Sequence, residues 1–440
     1  MNQPFHSFAA KLTYADLPPA ALTVLRRSFL DTMGVAAVGS TTEMARIART
    51  TAPLLMGGDQ SRGLMDGTRL SPAGAAMVGA MTLDSVDAHD GTSPCKGHAG
   101  SAVFPALLAM ADALPGLDGQ DFATLLAIAY EVSYRAGLAQ HATCADYHTS
   151  GAWTAVGVAT ACARALGCDA ETIRHAAGIG EYHGPRSQMM RCIDHPTMVR
   201  DGVGWGAPAG VSAAYLAQAG FTGAPALTCE QAPAFWADLG ENWRLVDDTH
   251  WKPYPCCRWA HPSLDAAHDL MRDHNLHHSQ IAAVDIRTFH NATRLAGHTP
   301  ATPDEFAYAI AFPVATMIVR GQVEVAELAP DTLRDPDILR ISRATTLIDD
   351  PEMTRISVGK RWAQVTITLT DGTQHAAAPR TPRGDTDMPL SDSGISDKFH
   401  LFADPVIGKQ RAAEIERLCA DFDSLDAGRF AHLRDLCLTR

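Results

Sequence analysis

Between Leu17 and Met56 the apolar positions Leu22, Leu25, Phe29, Met33 and Ala36 recur at steps of three and four residues, which places them on one face of a helix. Pro18 and Pro19 mark its start. The same spacing predicts helices over 72–83, rich in Ala, Gly and Met, and over 119–137, where Glu131 and Arg135 stand one turn apart and can pair. Residues 147–167 form an Ala-rich helix with Ser150 as its cap and Gly167 as its stop. Near residue 280 the period changes. Residues 281–290 alternate as a strand, and 363–378 alternate Val365, Ile367 and Leu369 up to Asp371-Gly372, a hairpin signal. An apolar helix over 302–320 lies between the strands, and 398–440 is helical again. The pattern describes a mainly α protein with an α+β section late in the chain.

One polar stretch interrupts the helical half. Asp87, His89, Asp90 and His98 fall within twelve residues, and Gly91, Gly97 and Gly100 let the backbone turn tightly. Ser101 is expected to cap a helix starting at Ala102, with Pro105 in its first turn. The helix over 72–83 just before it has small residues that suit close helix packing or an oligomer contact.

Composition narrows the function. The chain has 440 residues, 46% apolar and 19% charged, with a formal net charge of −13. Nucleic acid and anionic membrane are therefore poor partners, and positive charge around an anionic ligand has to be gathered locally. A start without a basic and long apolar leader, and no run of eighteen apolar residues, lead to the expectation of a cytoplasmic protein. The ten cysteines show no CxxC or zinc spacing, and there is no GxGxxG, P-loop or nucleophile motif. No cofactor and no metal are expected.

Residue chemistry points to proton transfer. His98, His148 and His261 with Asp87, Asp90, Lys252 and several arginines suit removal of a proton next to a carboxylate, with cations stabilising the charge that develops. A metal-dependent hydrolase using Asp87, His89, Asp90 and His98 as ligands is an alternative, as is a binding protein without turnover.

The segment DAHDG from Asp87, followed by GHAGSAVFPALLAMAD from Gly97, resembles the signature loop of the MmgE/PrpD family, which includes 2-methylcitrate dehydratase, cis-aconitate decarboxylase and iminodisuccinate epimerase. Further segments resemble the family in its usual order: YHTSG at 147–151, MVR at 198–200 with AAYLAQAGFTGA, WKPYPCCRWAHP at 251–262, and GDTDMPLSDSGISDKF at 384–399. The resemblance implies a discontinuous all-helical domain, 1–248 and 386–440, with an inserted smaller α+β lid domain, 249–385. It implies a homodimer that acts without a cofactor on a small di- or tricarboxylic acid, as a dehydratase or decarboxylase, or alternatively as an epimerase. In that reading His98 and His148 exchange protons with substrate, and Asp87 and Asp90 orient or tune a histidine. Arg200, Lys252 and His261 bind carboxylates, with Arg191, Arg258, His89 and Tyr308 as further contacts. The chain departs from the pattern at Arg200, where the family has a lysine. A guanidinium keeps the charge but does not exchange a proton. His89 stands where many members have Asp, Gly91 where some have Thr, and Phe312 in the slot of a tyrosine for which Tyr308 is the substitute.

Overall fold

The computed structural model describes residues 3–439. The stretch 17–56 forms two helices, Pro19–Gly39 and Glu43–Met56. They part at Thr42, whose side chain accepts the Ala45 N–H at 3.2 Å and so caps the second. Helices Pro72–Asp84, Gly100–Ala113, Gly119–Thr143, Ser150–Ala165 and Val203–Gln218 pack into one bundle. Small residues set their spacing: Gly206 lies on the Gly151 backbone and Gly79 against Pro105, where a Cβ would have no room. The small residues of Pro72–Asp84 thus serve packing within the chain.

Two helix starts differ from the local signals, for the same physical reason. The helix expected from Ala102 begins at Gly100, and Ser101 lies inside it with an unpartnered, buried hydroxyl. Its first N–H, that of Gly100, is taken at 3.2 Å by the carboxylate of Asp90, and Pro105 falls in the second turn. The helix expected to be capped by Ser150 has Ser150 as its first residue. The Ser150 N–H donates to the Asp201 carboxylate at 3.2 Å, so the cap again comes from elsewhere in the chain.

A second apolar core gathers residues 254–367 with Met189, Cys192 and Ile193, separate from the large cluster formed by residues 5–251 and 390–438. It holds the helix His261–Asp273 and a four-stranded sheet. In spatial order the strands are Thr345–Asp349, Ile281–Thr288, Ala363–Leu369 and Gln374–Ala376. Ile281–Thr288 pairs parallel with Thr345–Asp349 and antiparallel with Ala363–Leu369, in a register that sets Val284 opposite Ile367 and Ile286 opposite Val365, all four buried. Asp371-Gly372 makes the expected turn, with Gly372 at φ +88. The helix read over 302–320 is broken into Pro303–Ala307 and Ala311–Arg320. The amides of Ile310 and Ala311 donate to the carbonyls of Leu295 and Ala296 at 2.8 and 2.9 Å, which ends the helical ladder and turns Tyr308 out of it.

After this core the chain returns. Helix Asp392–Ile407 lies along Pro19–Gly39, with Gly34 against the Phe399 backbone, and Lys409–Cys419 and Ala427–Leu438 follow. All ten cysteines are free. No helix among the described residues is long and apolar enough to cross a membrane.

The return helix carries a pH-sensitive tie. His400 Nδ1 meets Asp404 at 2.8 Å and its Nε2 meets Glu416, on the next helix, at 2.9 Å. The bond to Asp404, then that to Glu416, raises the His400 pKa above its ordinary value. A raised folded pKa contributes stability that is complete below about pH 6.5 and is lost as pH rises through the folded value. The partly exposed pair contributes about 0.5–1 kcal/mol. His400→Ala should therefore lower stability to urea at pH 5.5 and have a distinctly smaller effect at pH 9. Equal losses at both pH values would contradict the tie.

Candidate active site

The polar loop that joins Pro72–Asp84 to Gly100–Ala113 is anchored from three separate segments. The Lys252 ammonium binds the Asp87 carboxylate and, at 2.9 Å, the Asp87 carbonyl. Lys398, on the return helix, donates to the Ala88 carbonyl and to Asp31, both at 2.6 Å. Gly91-Thr92 pairs antiparallel with Thr249-His250, where the chain passes between its two cores. Asp87, Lys96 and Arg200 all hold left-handed backbone, with φ of +50, +57 and +47. Such conformations cost non-glycine residues about 1–3 kcal/mol and persist where the surrounding contacts over-determine them.

His98 sits at the far end of this loop. Its Nδ1 lies 2.7 Å from the Asp90 carbonyl, and its backbone N–H donates to the Ser150 hydroxyl at 2.9 Å. A carbonyl only accepts, so the hydrogen-bond network assigns the ring proton to Nδ1 and leaves the lone pair on Nε2. Burial, then the charges of Lys252 and His89, push the His98 pKa well below its ordinary value, so the ring is neutral at pH 7. The His89 ring stands edge-on, 4.5 Å away between centroids. Asp90 supports this arrangement from behind: its carboxylate accepts from the Tyr130 hydroxyl at 2.6 Å and from Gly100, and burial raises its pKa.

His98 and Asp87 open onto a narrow cavity. The opposite wall is built by the second core, with Arg258, Tyr308 and Arg361. Arg258 donates to Asp385 at 2.6 Å and to His261 Nδ1 at 2.9 Å, while His261 Nε2 donates to the Cys256 carbonyl at 3.0 Å. His261 is therefore fully used in holding Arg258 and lies behind the wall. Lys252, fully buried, likewise acts through Asp87.

The other expected residues stand off the wall. Arg200 donates to Asp304 at 2.6 Å and to the Ser85 carbonyl at 2.8 Å, and its guanidinium carbon is 5.6 Å from the centre of the Tyr308 ring. It ties the helical core to the second one. His148 meets the Asp146 carbonyl at 2.9 Å through Nδ1 and is not part of the cavity lining, although Ser150, two residues on, bonds to His98. Arg191 is exposed, because helix Met189–Asp194 turns Met189, Cys192 and Ile193 inward.

Among the lining residues that escaped the sequence reading are the basic and acidic side chains of Lys96, Asp201, His250 and Arg361. Lys96 lies within the recognised loop, and His250 precedes the recognised WKPYP segment. Arg361 follows a polar turn and has no local signal. His250 is buried, its Nδ1 is 3.6 Å from Asp385, and its Nε2 has no hydrogen-bond partner among the described residues. Burial, followed by the charge of Arg258, holds its pKa well below the ordinary value. For Asp201, burial and then the Asp84 carboxylate raise the pKa.

Gly91 lies between the two imidazoles, and a Cβ there would come within 2.6 Å of His98 Nδ1 and 2.8 Å of His250 Nε2. Gly91→Ala should therefore displace the rings, costing about 1–3 kcal/mol as overpacked sites do. It should also reduce turnover more than tenfold, and a variant with full activity would contradict this placement.

Asp87, His89 and His98 offer ligand atoms within 4.8 Å of one another, close enough for a metal ion. The Asp87 carboxylate is, however, already bound by the Lys252 ammonium, His89 Nε2 is 3.4 Å from Asp84, and the Nδ1 atoms of both rings face the Asp90 carbonyl. A dication would share the Asp87 carboxylate with a buried ammonium. The donor set fits proton transfer better than metal binding.

Comparison with known proteins agrees with this geometry. Residues 3–242 match the MmgE/PrpD N-terminal domain and residues 254–423 the MmgE/PrpD C-terminal domain. The chain is 24% identical over 431 residues to cis-aconitate decarboxylase of Homo sapiens, covering 91% of this chain and 87% of that protein. It is 22% identical over 428 residues to the Mus musculus protein of the same name, covering 91% and 86%. Both halves of the molecule, and the polar loop that meets the second half at the cavity, are thus those of a member of the MmgE/PrpD family, to which this chain belongs.

Proposed function

We propose that the protein is a cofactor-independent lyase, a dehydratase or decarboxylase, acting on a small di- or tricarboxylic acid. The observation that carries this reading is His98: its Nε2 lone pair is left free by the Asp90 carbonyl at the wall of a cavity that also holds Arg258, Lys96 and Arg361. A neutral imidazole removes or returns a proton on the carbon next to a carboxylate, and the Arg258 guanidinium stabilises the enolate-like charge that develops. Asp87, locked by Lys252, sets the loop, and Tyr308 closes the cavity from the second core, which acts as a lid over the helical domain. The likeness to cis-aconitate decarboxylases supports an unsaturated or unsaturation-forming acid as substrate. A second imidazole, His250, beside the same glycine gives some support to an epimerase, which needs a proton donor and a proton acceptor.

The test is to incubate the protein with cis-aconitate, citrate, 2-methylcitrate and iminodisuccinate and follow each by proton NMR. A lyase converts at least one acid to a product with new vinylic or lost vinylic resonances. An epimerase inverts one without changing its composition. No change in any of them would count against the proposal.

A further inference from the structure

Two cations on the cavity wall have no counter-ion. Arg361 is 6% exposed, and its guanidinium meets only backbone carbonyls, those of Lys360 at 2.8 Å and of Ser357 and Ser93 at 3.4 Å, with the Phe289 ring centre 5.8 Å away. A guanidinium has five N–H donors in a planar fork, so donors are left unspent. Lys96 reaches the same cavity from the polar loop, its ammonium 5.5 Å from the centre of the Tyr147 ring and its carbonyl fixed by the Tyr147 hydroxyl at 2.6 Å. Neither cation forms an ion pair among the described residues. The neighbouring cations differ: Arg258 has Asp385, Lys252 has Asp87 and Arg200 has Asp304.

A buried charge without a partner is strongly unfavourable in an otherwise folded protein. Burial lowers the pKa of both groups, and the Arg361 charge lowers that of Lys96 further, so the pair is mutually repelling as it stands. An anion between them removes both penalties at once. The planar fork of arginine matches a carboxylate, and the ammonium adds a point charge. Arg361 belongs to the second core and Lys96 to the loop of the first, so the same anion would also draw the two parts together.

We propose that Arg361 and Lys96 form a subsite for a carboxylate of the bound acid additional to the one beside the reacting carbon, which makes the protein selective for di- and tricarboxylates over monocarboxylates. This rests on the reading of the ligand as a small polycarboxylic acid, and it is tested separately from turnover. Succinate and butyrate, of equal chain length, serve as probes in isothermal titration of the full-length protein. Wild type should bind succinate at least about tenfold tighter than butyrate, the equivalent of one charge-assisted contact. Arg361→Gln and Lys96→Gln should each remove about tenfold of the succinate affinity and leave butyrate unchanged, with Arg361→Lys intermediate. Lys96 is itself only half-buried, so its variant keeps the test valid should the buried Arg361→Gln fail to fold. Equal binding of succinate by wild type and a folded Lys96→Gln or Arg361→Gln variant would overturn the subsite, whatever the protein turns over. Discrimination that depends on both residues in a protein inert toward the four acids above would uphold the subsite and reject the lyase.

Discussion

Lys252→Met should cost about 3–5 kcal/mol of stability, the range seen when one partner of a buried ion pair is removed. The lysine is fully buried, and its ammonium binds both the carboxylate and the carbonyl of Asp87, a residue in left-handed backbone that forms no other ion pair among the described residues. Without the ammonium, a carboxylate stays in the interior with nothing to offset its desolvation. The coupling gives the sharper check. Lys252→Met combined with Asp87→Asn should be more stable than Lys252→Met alone, because the uncompensated charge has gone. Urea unfolding of wild type, both single variants and the double variant measures this. A single-variant loss below about 1 kcal/mol, the value of a surface pair, would mean that the pair does not hold the loop.

His98→Gln should lower kcat by about 10²–10⁴, the usual contribution of a positioned general base. Stability should change by no more than about 1 kcal/mol, since one hydrogen bond to the Asp90 carbonyl is lost. The pH profile carries a second expectation. The base is active when unprotonated, and burial with the nearby Lys252 and His89 pushes the His98 pKa well below 6.5. The acid limb of kcat/KM should therefore fall below pH 6.5. A limb at or above the ordinary histidine value would point to another base. His250→Gln, assayed in parallel, shows whether the second imidazole shares the work.

The periodicity of apolar residues identified helices between Pro19 and Ala165 because a helix face is decided by neighbours three and four residues apart. What it missed came from partners far along the chain. The starts of Gly100–Ala113 and Ser150–Ala165 are set by the carboxylates of Asp90 and Asp201, which no local capping signal contains. The break at Tyr308 is made by carbonyls of Leu295 and Ala296. The same limit applies to the site. Asp87, His98 and Arg258 were visible as residue types in a polar or proline-stiffened setting, and they line the cavity. Arg200 was visible as a charge, but its partner Asp304 is about a hundred residues away, so its use as a tie between the cores was not. Arg361 gave no signal, because an arginine before a strand is ordinary until the structure shows it buried beside a cavity without a carboxylate.

On the proposed function, His98 moves a proton at the carbon next to a substrate carboxylate. Incubation of wild type and His98→Gln in D2O with whichever polycarboxylic acid the protein accepts, followed by NMR of the recovered acid and its product, tests it most directly. Deuterium is expected at that carbon with wild type, and loss of that label together with turnover in the variant. Labelling at an undiminished rate in a folded His98→Gln variant would contradict it.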